Sequence, residues 1–230
     1  MKILFLKDKK ITEEELNELE RQFTDLYYEH TGISPLFFVE ERDYTDYPTV
    51  TDADGDKKLT NLYMKEACAD VYKRYSGEGT DHVVFLIHED NWKLTGIWGI
   101  NYSNLYNGYQ VEVCRFDRDN MANSLGTLYH EIHHSHDALI KTYLGVNINP
   151  ILNVTNYDGE ITHGKNPNWD YIRWKENTKS LEIMAPYLRR AYDMRHQAYQ
   201  KKVGMFKTIK NLAQQVIFLS RRLLFKKKKY

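Results

Sequence analysis

The sequence predicts an α+β fold, with a mixed sheet and helices in the first part of the chain and a helical lobe at its C-terminal end. Three patterns carry that reading. Strand-like and helix-like segments follow one another as far as Gly145, a long stretch containing Asn, Gly and Pro comes next, and helical spacing then runs from Asn177 almost to the end.

"KILFL" opens the chain as a strand. In "TEEELNELERQFTDLYYEHTG" acidic residues fill the first turn, and Leu16, Leu19, Phe23, Leu26 and Tyr27 recur at helical spacing until Gly32 stops the helix. "SPLFFVEE" reads as a strand, "YTDYPTVTDADGDKK" as a loop, and "LTNLYMKEACADVYKRYSGEG" as a second amphipathic helix closed by glycines. "DHVVFLIHE", β-branched and apolar, is the strongest strand. "LTGIWGINYS" and "GYQVEVCRF" give two more strands around the polar turn "NLYNG". "MANSLGTLYHEIHHSHDALIKTYLG" is a helix ending at Gly145. The stretch "VNINPILNVTNYDGEITHGKNPNWDYIRW" is a loop too long to be a mere connection. No internal repeat is evident. Residues 1–200 thus read as one domain, an α+β lobe over 1–145 and a loop and helical lobe over 146–200, with 201–230 a basic amphipathic helix.

Composition narrows the class. The 230 residues are 42% hydrophobic and 28% charged, which fits a globular chain rather than a disordered one. Cys68 and Cys114 form no Cys-x-x-Cys pair, so neither a disulfide framework nor thiolate ligation of zinc is expected. "MKILFLKDKK" holds too short an apolar run for a signal-peptide core, and no stretch is long enough to span a membrane. The expected location is cytoplasmic, or outside the cell after release without a signal peptide. The net charge of zero hides an asymmetry: residues 201–230 hold ten Lys or Arg and no acid, while residues 1–200 hold 22 basic and 32 acidic residues, a net charge of −10.

The chemistry is concentrated in "YHEIHHSHD". His130 and His134 are four apart, about 40° and ~6 Å from one another on a helix, so both imidazoles can reach one ion. Glu131 is turned about 100° from His130, which sets its carboxylate beside that ion, where it can take a proton from water. This is the His-Glu-x-x-His arrangement of zinc peptidases. His133 has Asp137 at i+4 but no glutamate behind it, and His136 faces away from the His130/His134 line. A solvated histidine cluster is the bland alternative. The position inside a long helix, after strands and before a long loop, weighs against it.

Two imidazoles do not complete a site. Asp137 lies about 10 Å along the axis from His130, too far to share its ion, and fits better as a hydrogen-bond acceptor for a ligand imidazole. A third ligand must therefore come from downstream, where Asp158, Glu160, His163, Glu176 and Glu182 are the candidates.

"SLEIMAPYLRRAY" resembles the gluzincin branch of zinc peptidases, in which a glutamate on a later helix is commonly followed by alanine three residues on, as Glu182 is by Ala185. "HEIHHSHD" with a glutamate 48 residues after His134 resembles the catalytic domain of the anthrax lethal factor type, which also has an aspartate three residues after the second histidine. The resemblance covers residues 82–200 and implies a zincin-like fold. It also implies zinc as cofactor on His130, His134 and Glu182, with Glu131 as catalytic base. Glu160 and His163 stay open as alternative ligands. For a hydroxyl that stabilises the oxyanion, Tyr171 is the first choice and Tyr187 the second. Pro186 departs from the pattern, because in an established helix it removes a backbone hydrogen bond near Glu182. "GYQVEVCRF", just before the active helix, is expected to be the edge strand that holds an extended peptide or protein substrate by strand addition.

Competing readings remain in view. The chain could be a non-catalytic zincin-fold binding protein with a structural zinc, or a deformylase-like hydrolase, which would need Cys114 near the metal. "DADGD" lacks the glycine and glutamate positions of a calcium loop and reads as an acidic turn capping the next helix. In the tail, Met205, Ile209, Leu212, Val216, Leu219 and Leu223 form a helical stripe with a basic polar face. That helix is expected to be the last core helix with a solvated lysine end, or to dock on the acidic body or a protein partner; an anionic membrane surface is the second reading, and nucleic acid is not expected.

Overall fold

The computed structural model describes residues 1–75, 80–95, 97–106, 109–163 and 172–227. The chain starts with β1 (Lys2–Asp8), buried along almost its whole length. Helix α1 (Glu13–Thr31) follows, closed at its start by a capping box between Thr12 and Glu15 and at its end by Gly32. Next come β2 (Leu36–Arg42) and a small antiparallel hairpin of β3 (Thr49–Thr51) and β4 (Lys57–Leu59). Helix α2 (Asn61–Tyr75) leads to β5 (His82–His88), buried at every position, then β6 (Gly99–Tyr106) and β7 (Tyr109–Phe116). Helix α3 (Met121–Leu144) starts at the Asn120 cap and stops at Gly145, and a short α4 (Asn149–Leu152) precedes the long α5 (Ile172–Lys227).

Five strands form one mixed, mostly parallel sheet in the order β2-β1-β5-β7-β6, in which only β6 runs antiparallel, against β7. Alternation along the strands divides the core in two. Ile3, Phe5, Val84, Leu86 and Cys114 face a layer built from α1, α3 and the first part of α5, through residues such as Phe23, Leu128, Ile132 and Leu188. Leu4, Leu6, Val83, Phe85, Val111 and Val113 face the other side, where Met64, Ala67 and Cys68 of α2 pack.

Two expectations need correction. "GYQVEVCRF" is not an edge: β7 pairs with both β5 and β6, which gives its buried backbone hydrogen-bond partners on both sides. The edge strands are β2 and β6. "DADGD" does not cap α2, since it is the turn of the β3–β4 hairpin. The Asp52 carboxylate accepts from the Asp54 and Asp56 amides at 3.0 and 2.9 Å and pairs with Lys58 at 2.6 Å, while the Thr60 hydroxyl accepts from Tyr63 N at the start of α2.

Residues divide into two units, Met1–Tyr192 and Asp193–Tyr230, with the division inside α5. The first contains the sheet and all the other helices. No helix among the described residues is long and apolar enough to cross a membrane.

Candidate metal centre

Helix α3 is amphipathic with an unusual polar load. Leu125, Leu128, Ile132, Leu139 and Ile140 bind it to the core, which fixes its rotation and leaves His130 and His134 half-buried together on another face. Their Nε2 atoms lie 3.0 Å apart. His163 joins them, its ring centroid 5.2 Å from that of His130 and 5.0 Å from that of His134. Each of the three offers a nitrogen, and all three nitrogens lie within 4.8 Å of one another.

His163 arrives there by a local device. Residues Asp158–Thr162 form a single π turn, a wider loop of backbone that recurs at functional sites, and His163 follows directly. The turn is pinned to α3: the Tyr157 hydroxyl donates to the His133 carbonyl at 3.0 Å, and Asp158 Oδ1 lies 2.5 Å from His134 Nδ1. Asp158 therefore holds the proton on Nδ1 and leaves the Nε2 lone pair of His134 for a metal. It lies 3.7 Å from His163 as well.

The donor set fits a cation such as zinc. Zn–N bonds of about 2.0–2.1 Å at tetrahedral angles put two donor nitrogens roughly 3.3 Å apart, and three neutral imidazoles are a familiar zinc set. Burial lowers the pKa of His134, with Asp158 acting the other way, so the ring is kept in the neutral, ligating form.

Glu131, the residue after His130 on α3, is almost wholly buried. Burial, and then the charges of Glu112 and Asp158, push its carboxyl well above the usual carboxylate range. It lies directly under the edge strand. A Cβ placed on Gly99, the first residue of β6, would fall on the Glu131 carboxylate, with Cγ at 2.7 Å. Only glycine lets the strand pass so close. Asn101, two residues on, clamps strand to helix: its Nδ2 donates to the Glu131 carbonyl at 2.8 Å and to Ser135 Oγ at 2.7 Å. Ser135 in turn donates to the buried Glu112 of β7 at 2.9 Å, and Glu112 also takes a bond from His82 Nδ1 at 2.8 Å.

Gly99→Ala should accordingly destabilise the protein by about 1–3 kcal/mol, the usual cost of overpacking, and displace Glu131. A urea midpoint unchanged from wild type would contradict the close approach.

Of the expected site residues, His130 and His134 come together, and Glu131 follows His130 on the same helix with its carboxylate buried under β6. Glu182 does not join them. It lies on α5, ten residues after the helix begins, and its half-exposed carboxylate accepts from His30 Nδ1 at 2.9 Å. His163 occupies the place that Glu182 was expected to take. The reason is positional: α5 is already established before Glu182, with Pro186 inside it, and its inward-facing residues there are Leu181, Met184 and Leu188, which pack into the core. Asp137 is also replaced, since Asp158 holds the ligand imidazole. Glu160 is engaged in its own turn, accepting from the Thr155 and Asn156 amides at 2.8 and 3.1 Å. Tyr187 packs against the core. Cys114 is buried in β7 with its thiol pushed well up by burial, and it is not part of the nitrogen group. Tyr171 and the side chain of Glu176 lie outside the described residues.

His133 and His136 turn inward and are buried, His136 as its spacing from His130 and His134 implied. The His133 ring stacks between Tyr129 and Tyr157, with centroids at 5.5 and 5.7 Å, and His136 Nε2 is 3.0 Å from the Tyr27 hydroxyl. Burial is the first cause of lowered pKa in both, to about 3 for His133 and well below the ordinary range for His136. The unfolded chain takes up these protons near pH 6.5 and the folded chain resists them, so their stabilising effect is intact above pH 6.5 and falls as pH drops below it. Each buried histidine should cost about 1.4 kcal/mol of stability per pH unit in that window, down to its folded pKa. Thermal melts between pH 7 and 4 should show a steep fall that His133→Phe flattens; identical slopes in the two proteins would contradict it.

Comparison with protein-family models, with curated proteins and with solved structures finds no match to this chain.

Proposed function

We propose that the chain is a zinc-dependent metallopeptidase of zincin type. The observation that carries this reading is the convergence of His163 with His130 and His134 on the helix that also carries the buried Glu131, with β6 at one end of the sheet. His130, His134 and His163, the donors that converge among the described residues, would hold the zinc, and three protein ligands would leave room for water or substrate, as in catalytic rather than structural sites. Zinc supplies Lewis acidity there, toward water and toward the scissile carbonyl.

The chain's own residues do the rest. Glu131 receives the proton from the attacking water on its carboxylate and later gives it to the leaving amine. Its raised pKa makes the carboxylate a stronger base toward that water. Asp158 keeps His134 oriented. Strand β6, at the end of the sheet and passing over Glu131, supports an extended peptide added as a further strand, with backbone bonds fixing its register. Gly99 keeps side chains out of the path between that peptide and the base.

The test is a mixed peptide library offered to zinc-reconstituted and to chelator-treated protein. New N-termini are expected only with zinc. Zinc bound at about one per chain without cleavage of any peptide would favour a structural metal instead.

A further inference from the structure

We infer that the second unit, Asp193–Tyr230, is an interaction surface for an anionic lipid bilayer, on which its helix lies with one apolar row toward the acyl chains. Met205, Ile209 and Leu212 are 58, 55 and 56% exposed. Spaced four and three residues apart in α5, they fall within an arc of about 60°, and Val216, Leu219 and Leu223 continue the spacing in the sequence. Single exposed apolar residues are ordinary on a protein surface, but a row of them signals a partner.

Charge identifies that partner. Residues 201–230 contain ten Lys or Arg and no Asp or Glu, six of the ten within "RRLLFKKKKY". A nucleic acid would answer the charge and leave the apolar row in water. A bilayer answers both at every point along the helix, with anionic headgroups directly over hydrocarbon. Lys207, Lys210, Arg221 and Arg222 interrupt the apolar residues too often for a span, and among the described residues no helix is long and apolar enough to cross a membrane. The helix therefore lies in the surface. An apolar row and a basic cluster are two weak anchors that together suffice where one alone gives marginal binding.

The experiment is co-sedimentation of the full chain with vesicles of phosphatidylcholine, with or without about 30% phosphatidylserine. Partition onto the anionic vesicles should exceed that onto the neutral ones by about tenfold or more, and should fall roughly tenfold when salt is raised from ~0.1 to ~0.5 M. Joint Ile209→Asp and Leu212→Asp should reduce partition about tenfold with helix content unchanged. As a second variant, Lys226→Gln, Lys227→Gln, Lys228→Gln and Lys229→Gln together should remove the preference for anionic lipid. Equal partition onto both vesicles, no partition onto either, or binding indifferent to both variants would overturn the inference. So would tighter binding to a duplex oligonucleotide than to vesicles, or a dimer that buries the row and excludes lipid.

Discussion

Replacing Glu131 by Gln should slow peptide hydrolysis by about 10²–10⁴-fold, the usual contribution of a positioned general base, while zinc content stays near that of the wild type. The amide is nearly the same size, so the fit beneath Gly99 survives, but it cannot accept the proton of the attacking water. Glu131 is not one of the converging donors. Metal analysis and a cleavage assay on the same preparation separate its two conceivable roles. Loss of zinc in the variant would make Glu131 a ligand, and full activity would remove it from the chemistry.

The second large effect concerns the third ligand. His163→Ala should weaken zinc binding by more than the roughly 10–100-fold that loss of an outer hydrogen-bond partner costs, and should abolish cleavage. Asp158→Asn should fall within that 10–100-fold range, because Asp158 orients His134 and does not join the nitrogen group. Glu182→Ala should leave zinc in place, since its carboxylate is occupied with His30 on the surface. Competition with a chromogenic chelator measures all three. The reverse ranking, with Glu182→Ala emptying the site and His163→Ala leaving it filled, would restore the ligand that the gluzincin resemblance implied.

That resemblance shows where sequence reasoning reached and where it stopped. The paired histidines were legible because they sit on one helix, where spacing alone fixes geometry. Strands such as β5 were legible for the same kind of reason, as a continuous apolar run bounded by turns. His163 was visible only as one of several downstream candidates, because its place depends on a π turn that no periodicity announces and on bonds from Tyr157 and Asp158 to α3. Glu182 attracted the assignment through a short pattern with alanine, but a pattern on a later helix says nothing about which way that helix faces.

Edge and interior are also tertiary facts. "GYQVEVCRF" and "LTGIWGINYS" both read as strands, and only the pairing of β7 with β5 reveals that β6 is left at the border. Gly99 gave no signal beyond being a glycine in a strand-like segment. Its meaning comes from the carboxylate that lies where a Cβ would be. The buried Asn101–Ser135–Glu112 connection joins residues from three elements and was equally hidden.

The central claim is an open three-imidazole zinc site with Glu131 beside it. A crystal structure of the zinc-loaded protein tests it most directly. Zinc should lie about 2.0–2.1 Å from Nε2 of His130, from Nε2 of His134 and from a ring nitrogen of His163, with a fourth, solvent-filled position next to the Glu131 carboxylate. Zinc bound elsewhere, or a fourth side chain closing the coordination sphere, would contradict the account.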